Sequence, residues 1–126
     1  MSDLNLMLLF MVKHFICDFP LQACPWMYRN KGTYGHVGGI THAAIHGGTT
    51  LLLVNFVIPS SVWSLYLSFG DFILHYHIDY AKMKIGSKFN LKPDNSEWFW
   101  ILLGFDQLLH FLTYYLIIVL IQRNIT

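Results

Sequence analysis

Hydrophobic positions fall into four long stretches of the chain, and residues that favour turns separate them. Pro20 follows the first stretch and Pro59 follows the second, because proline cannot continue a helix. The pattern predicts an all-α fold, an antiparallel four-helix transmembrane bundle, with helices over residues 4–19, 37–58, 62–80 and 97–121. Interfacial loops are predicted at residues 20–36 and 81–96, and a very short turn at residues 59–61.

Each of the four stretches is interrupted by a pair of residues of metal-ligand type, spaced four apart. The pairs are His14 with Asp18, His42 with His46, His75 with Asp79, and Asp106 with His110. On an α-helix this spacing stacks two side chains on one face, one turn apart. An unpaired ionisable group is costly in an apolar environment, and so these eight side chains need a common partner. The sequence therefore predicts that all eight are ligands of a buried metal centre.

An up-and-down arrangement of the helices brings the four pairs to one depth. The pairs lie at the ends of the first and third helices and in the first halves of the second and fourth. Ends of odd helices and starts of even helices are on the same side of such a bundle. This convergence is partly independent support for a single polar site near one face.

Each pair also has a simpler interpretation. His14 and Asp18, taken alone, are equally well explained by a carboxylate that accepts the imidazole proton, and Asp106 with His110 resembles them. His42 and His46 carry no counter-charge, which favours ligation.

Other polar residues are predicted to support the ligands. Asp71 lies one turn before His75 and is predicted to orient it, and Gln22 and Gln107 are placed in the same supporting group. His77 points about 200° away from His75 and is predicted to have another role.

Composition favours a membrane protein. The 126 residues form a single predicted domain, 1–126, that is 55% hydrophobic and 17% aromatic, with too few charged residues to coat a soluble globule. The near-zero net charge argues against nucleic acid as a partner. Charges or turns interrupt every long apolar run, so a soluble helical metalloprotein stays open. Residues 47–70, which contain no charged residue or histidine, and the apolar tail favour the lipid bilayer as partner.

The distribution of cationic residues predicts how the bundle is oriented in the membrane. Both predicted loops on the ligand side are basic, with Arg29, Lys31, Lys82, Lys84, Lys88 and Lys92, whereas the opposite side carries only Arg123. The positive-inside rule then places the site near the cytoplasmic face and both termini on the opposite side.

The ligand types indicate the ion and its chemistry. Five histidines and three aspartates without sulfur suit one or two divalent ions of zinc, manganese or iron. Such ions activate water and stabilise a phosphoester under attack, which predicts a metal-dependent hydrolase of lipid- or nucleotide-linked phosphate. Asp18 and Asp79 are candidate general bases or ligands, and Lys13, Arg29 and Lys82 are candidates for attracting the substrate anion.

Three other classes are weighed against a hydrolase. A metal-ion or proton-coupled transporter would use similar pairs, but it needs polar groups across the far half, where few occur. A di-iron oxidase usually has more histidines. A small phage protein that modulates a host membrane protein would use the metal only to stabilise its fold. A homodimer is a further possibility, because four short helices often need a second copy of the chain to bury a polar face.

Four segments carry a family resemblance. HFICDFPLQ (14–22), THAAIH (41–46), HYHIDYAK (75–82) and FDQLLH (105–110) resemble the family numbered 3307 among the domains of unknown function, small multi-pass membrane proteins of bacteria and phages. Pro20 and His77 look like local departures from its pattern. The resemblance implies a bacterial or phage origin and a bacterial inner-membrane location, and it implies no activity. Membrane-bound metal-dependent hydrolases are similar in style only.

Overall fold

The computed structural model describes residues 1–125, and that part of the chain is helical with no strand. The helices are α1 (Asp3–Asp18), α2 (Pro25–Arg29), α3 (Val37–Val57), α4 (Val62–Lys88) and α5 (Glu97–Ile125). The sequence predicted the four long helices, but it missed the short α2. It also ended the third helix at residue 80, whereas α4 continues to Lys88. Residues 81–88 contain good helix formers and no proline, and the single Gly86 costs only about 1 kcal/mol.

Side chains just before each long helix satisfy its first free backbone N–H groups. Ser2 Oγ accepts from Asn5 N (3.3 Å), and Ser61 Oγ accepts from Trp63 N (3.3 Å). His36 Nδ1 accepts from Gly38 N at 3.0 Å. Such caps fix where a helix starts, and therefore which of its residues face the interior.

The four long helices contact one another in a ring, α1 with α3, α3 with α4, α4 with α5, and α5 with α1. Helices α3 and α4 approach closely at Gly47, where a Cβ atom would lie 2.9 Å from Phe72 Cβ and 3.1 Å from the Ser68 carbonyl oxygen. Only glycine allows this separation. The contact brings the histidines of α3 close to those of α4.

An apolar core fills the end of the bundle that holds the start of α1 and the α3–α4 turn. Its buried members are Leu6, Phe10, Val54, Leu67, Tyr114, Ile117, Ile118 and Ile121. The opposite half of the interior is polar. The bundle therefore has a closed apolar end and a polar end beneath the two long connections.

The outer surface is strongly apolar. Leu4, Leu52 and Phe56 are 81%, 72% and 77% exposed, and many other large apolar side chains also point outward. Two helical spans, Val37–Val57 and Glu97–Asn124, are long and apolar enough to cross a membrane.

Candidate metal centre

The residues that the sequence singled out as ligands form one cluster in the polar half of the bundle. We call it the His/Asp cluster; its members are His14, Asp18, His42, His46, His75, Asp79, Asp106 and His110. Seven of the eight are buried, and the Asp18 side chain is 10% exposed. Four-residue spacing on four helices has thus brought all eight together, as the antiparallel arrangement predicts.

One aspartate and three histidines point their ligand atoms at one another. Asp18 Oδ1 lies 3.0 Å from His46 Nε2, 3.2 Å from His42 Nε2 and 3.9 Å from His75 Nε2. The Nε2 atoms of His42 and His75 are 3.2 Å apart. Tetrahedral ligands at zinc–nitrogen distances near 2.0–2.1 Å stand roughly 3.3 Å from each other. These four side chains could hold one ion.

A second group, formed by His110, Asp79 and Asp106, lies beside the first and contacts it through the Asp79 carboxylate. His110 Nε2 lies 3.3 Å from Asp79 Oδ1 and 3.5 Å from Asp106 Oδ1. The other oxygen of Asp79, Oδ2, lies 3.3 Å from His42 Nε2 and 3.4 Å from His75 Nε2. Asp79 therefore faces both groups, one oxygen to each, as a carboxylate does when it bridges two ligand sets.

The hydrogen bonds of His14 give it a different character. Its Nε2 is 3.0 Å from both Asp18 Oδ2 and Gln107 Oε1, and its Nδ1 is 2.8 Å from the Tyr114 hydroxyl. Gln107 donates its Nε2 to Asp106 Oδ2 at 3.0 Å, which leaves its oxygen facing His14. A carbonyl oxygen only accepts, so His14 Nε2 donates. In this arrangement His14 holds Asp18 in place, and its Nε2 is not free to bind an ion.

Two lysines border the carboxylates. Lys31 Nζ lies 2.8 Å from Asp79 Oδ2 and donates to Gln22 Oε1 at 2.7 Å, and Lys31 is buried although it belongs to a loop. Lys82 Nζ lies 3.5 Å from Asp106 Oδ2. Sequence reasoning named Lys82 as a site residue but treated Lys31 only as one of the loop cations.

The predicted supporting glutamines lie where they can act on the ligands. Gln22 Nε2 donates to the Asp18 carbonyl oxygen at 2.8 Å, and Gln107 joins His14 to Asp106. Both side chains connect a ligand to a second charged or polar group. The supporting role of the two glutamines stays a prediction.

A separate polar network lies between the cluster and the apolar core. Lys13 Nζ donates to Asp71 Oδ2 (2.9 Å) and to the Tyr114 hydroxyl (3.4 Å), and Thr50 Oγ1 donates to the same Asp71 oxygen (2.6 Å). The sequence had assigned Asp71 to orienting His75 and Lys13 to attracting substrate. The structure pairs the two residues with each other instead.

Thr50 and Tyr114 were missed as site residues, although their spacing could have identified them. Thr50 follows His46 by four residues on the same face of α3, and Tyr114 follows His110 by four residues on the same face of α5. Both are fully buried.

Two residues lie apart from the cluster. The Arg29 guanidinium stacks on the Tyr28 ring, 5.8 Å from its centre. His77 is exposed, with Nε2 at 3.0 Å from the Tyr34 hydroxyl and Nδ1 at 2.7 Å from the Ile73 carbonyl oxygen. The structure thus gives His77 a different environment from His75, as the sequence predicted, and leaves Arg29 outside the cluster.

The charges and unpaired atoms of the interior fit a bound cation. Four carboxylates, those of Asp18, Asp71, Asp79 and Asp106, face three lysines, Lys13, Lys31 and Lys82. Asp79 Oδ2 and Asp106 Oδ1 are buried without a hydrogen bond; Lys31 is near enough to Asp79 for an ion pair but not in hydrogen-bonding geometry. Buried carboxylate oxygens in this state are stabilised by a positive ion.

The far sides of three histidine rings carry no orienting partner. The Nδ1 atoms of His42, His46 and His75 are buried without a hydrogen bond. Metal-binding histidines usually donate this nitrogen to a carboxylate or carbonyl. Packing of the rings on one another, with His46 and His75 stacked at 3.5 Å, holds them in place instead.

Fold and site together define an all-helical protein with a buried His/Asp cluster that could hold a metal ion. The chain belongs to the family described as "Protein of unknown function (DUF3307)", whose model matches residues 6–126. This match confirms the family resemblance seen in the sequence. No curated protein and no solved structure matches the chain.

Proposed function

We propose that this chain is an integral membrane protein that holds a divalent metal ion in the His/Asp cluster and hydrolyses a phosphoester at the cytoplasmic face of the bacterial inner membrane. The observation that carries the proposal is the convergence of three imidazole Nε2 atoms and the Asp18 carboxylate on one buried point, with the Asp79 carboxylate facing two of the same imidazoles. Four ligands suffice for a structural ion. The additional carboxylates and lysines favour a site that performs chemistry.

Exposed side chains support the membrane part of the proposal. Soluble monomers rarely expose contiguous apolar patches larger than a few hundred Å², whereas this bundle is apolar on most of its outer face. With a rise of about 1.5 Å per residue, the 21 residues of α3 reach across a hydrocarbon layer of about 30 Å. Lysines concentrate at the polar end, which favours that end as the cytoplasmic one, with both termini opposite.

The ligand set favours zinc, manganese or iron. We assign Asp18, His42, His46 and His75 as ligands of the first ion. Asp79, Asp106 and His110 form a second ligand group that could hold a second ion. A bound ion would supply polarisation of a phosphoryl oxygen and a more acidic water.

The protein side chains supply the remaining chemistry. Asp79, which faces both groups, and Asp18, the most exposed member, are the candidate bases for the attacking water. Lys31 and Lys82 stand beside the carboxylates and would neutralise the phosphate charge. Lys13 is occupied by Asp71 and has no part in this proposal.

The apolar core weighs against transport through the bundle. The core closes the end of the interior opposite the cluster, with Phe10 and Val54 fully buried. Ions moving across would have to pass this apolar core, where the buried polar partners are small hydroxyl groups such as that of Ser64.

Burial of the cluster favours a second candidate, in which the ion only stabilises the fold of a protein that acts on another membrane protein. Among the eight members of the cluster, Asp18 is the most exposed, with 10% of its side chain accessible, and the side chains of the other seven are 5% exposed or less. A substrate would therefore have to enter between Asp18 and the loops.

Phosphate release from reconstituted protein separates these candidates. Protein supplied with zinc, manganese or iron would be offered phosphatidic acid, a lipid diphosphate and a nucleotide. We expect metal-dependent release that drops about a hundredfold or more in His46→Ala, which removes a ligand of the ion, and in Asp79→Asn, which removes a candidate base. His77→Ala, outside the cluster, should leave it unchanged. A metal-loaded protein that releases no phosphate from any of these substrates favours the structural candidate.

A further inference from the structure

Helices α4 and α5 continue beyond the His/Asp cluster as a projecting hairpin. Lys88, the last residue of α4, lies nine residues past Asp79, or roughly 13 Å along the helix axis. Residues 89–96 close the hairpin, and α5 returns from Glu97. The sequence had predicted a basic loop here, so this hairpin and the spaces within it were not expected.

An apolar chamber opens on the side of the hairpin. It has a volume of about 600 Å³ and is lined by aromatic and aliphatic side chains, among them Ile85, Phe89, Trp98, Ile101 and Phe105. Cavities of about 300–1,000 Å³ are typical of small-molecule sites. The chamber holds no charged side chain in its lining, so its chemistry suits a hydrocarbon chain.

A smaller chamber of about 330 Å³ adjoins the first, and we call it the polar chamber because lysine and other polar side chains join the apolar ones in its lining. Its lining includes Lys82, Ser87, Asn90 and Lys92, and it shares Leu91 and Leu102 with the apolar chamber. We call the two chambers together the hairpin groove. One end of the groove is hydrocarbon-like and the other presents two lysines and hydrogen-bonding groups.

The charged residues that line the groove, Lys82 and Lys92, are of one sign, and the nearby acidic residues Asp94 and Glu97 are not part of its lining. Residues 80–93 carry four lysines, Lys82, Lys84, Lys88 and Lys92, and no aspartate or glutamate. Clusters of lysine at a membrane surface attract anionic lipids. The occupant that matches both ends of the groove therefore has an apolar chain and a negatively charged head.

The polar chamber also leads to the metal centre. Lys82 lines that chamber, and its Nζ lies 3.5 Å from Asp106 Oδ2 in the His/Asp cluster. A phosphate held by Lys82 would stand next to the cluster.

We propose that the hairpin groove binds an anionic phospholipid with a phosphate monoester head, with an acyl chain in the apolar chamber and the phosphate against Lys82 and Lys92. This lipid is the substrate class of the proposed hydrolase, and in that respect the inference rests on the proposed function. The groove binds the lipid whether or not the cluster turns it over.

Trp98 provides a direct probe, because it lines the apolar chamber. Full-length protein in dodecylmaltoside micelles would be titrated with phosphatidic acid that carries bromine on its acyl chains, and with brominated phosphatidylcholine. The Trp98 contribution is the fluorescence lost in Trp98→Phe. We expect saturable quenching of Trp98 at a concentration about tenfold lower for phosphatidic acid, because the two lysines favour the anionic head.

A matched pair of variants tests the charge. Lys92→Gln removes an exposed cation that lines the groove, and should raise the half-quenching concentration of brominated phosphatidic acid several-fold. Arg29→Gln removes one exposed cation from outside it, and should leave that concentration unchanged. Equal quenching by the two lipids, or equal effects of the two variants, would overturn the inference.

The test also separates this inference from the proposed function, because quenching requires neither ion nor turnover. Trp98 quenching specific to phosphatidic acid without phosphate release supports the groove and rejects the hydrolase. Phosphate release from a soluble nucleotide without lipid-specific quenching rejects the groove and leaves the hydrolase. Displacement of the brominated lipid by inorganic phosphate alone at equal concentration would show that the acyl chain contributes nothing, and would also reject the groove.

Discussion

Asp18 contacts histidines of both kinds, the candidate ligands and the hydrogen-bond donor His14. One of its oxygens faces His42 and His46, and the other accepts from His14 at 3.0 Å. Unlike Asp71, Asp79 and Asp106, it has no lysine partner among the residues that the structure describes. Its charge is therefore balanced only by imidazole hydrogens or by a bound cation, which makes it the most direct anchor for an ion.

The donor role of His14 leads to a prediction that compares one substitution at two positions. His14→Gln keeps an N–H near the position of Nε2, and should lower metal affinity about tenfold, the effect of losing an outer contact. His46→Gln removes a ligand nitrogen and should lower affinity far more. Competition with a fluorescent chelator measures both.

The alternative is that His14 is itself a ligand. Its ligand nitrogen also comes within 4.8 Å of those of His75 and His110. Equal losses of affinity in His14→Gln and His46→Gln would favour ligation and contradict the donor role.

At this scale the sequence predicted the members of the cluster but not all of their partners. Helical spacing identified the eight residues because the polar faces of four packed helices must meet in the interior of the bundle. Lys31 lies on a loop, and a loop has no regular repeat from which the direction of a side chain can be predicted. Its contact with Asp79 was therefore not foreseeable. Lys13 lies beside His14 in sequence, yet only the position of α4 reveals that it pairs with Asp71.

Among the helices, the α3–α4 contact determines how closely the histidines approach. Gly47 packs directly on Phe72, whereas a Cβ atom on Gly48 would meet nothing within 4 Å. Since His46 precedes Gly47 and His75 follows Phe72 by one turn, the separation of these helices also sets the stacking of the two imidazole rings.

This contact predicts opposite outcomes for two neighbouring substitutions. Gly47→Ala should destabilise the protein by about 1–3 kcal/mol through overpacking, and should weaken metal binding. Gly48→Ala should be neutral or slightly stabilising, because alanine is the better helix former. Thermal unfolding in detergent, with and without metal, compares the two. Equal unfolding midpoints would contradict the close-packing account.

Helix starts were easier to predict than helix ends. The predicted starts at residues 37, 62 and 97 are those of α3, α4 and α5. The extension of α4 to Lys88 depends on packing against α5, where Gly86 lies near Leu102. A lysine-rich segment with one glycine looks like a loop until its partner helix is known.

For the whole molecule, the proposed membrane location raises the question of which end of the bundle would face the cytoplasm. The polar end carries the long connections and most lysines, and the α3–α4 turn lies at the other end with the termini. The native cysteines give a convenient probe, since Cys24 is exposed on a long connection and Cys17 is buried.

We predict that a membrane-impermeant maleimide labels Cys24 only from the cytoplasmic side of bacterial inner-membrane vesicles. In the Cys24→Ser background, Ser60→Cys at the opposite turn should be labelled only from the other side. Labelling of both positions from one side would contradict a membrane-spanning bundle, and exchanged sides would reverse the orientation.

The central claim is that the His/Asp cluster exists to hold a metal ion, and elemental analysis of the detergent-purified, full-length protein tests it most directly. We predict a stoichiometric amount of zinc, manganese or iron, retained in His77→Ala and lost in His42→Ala and His46→Ala. A stably folded protein that contains none of these ions, and takes up none when they are supplied, would contradict it.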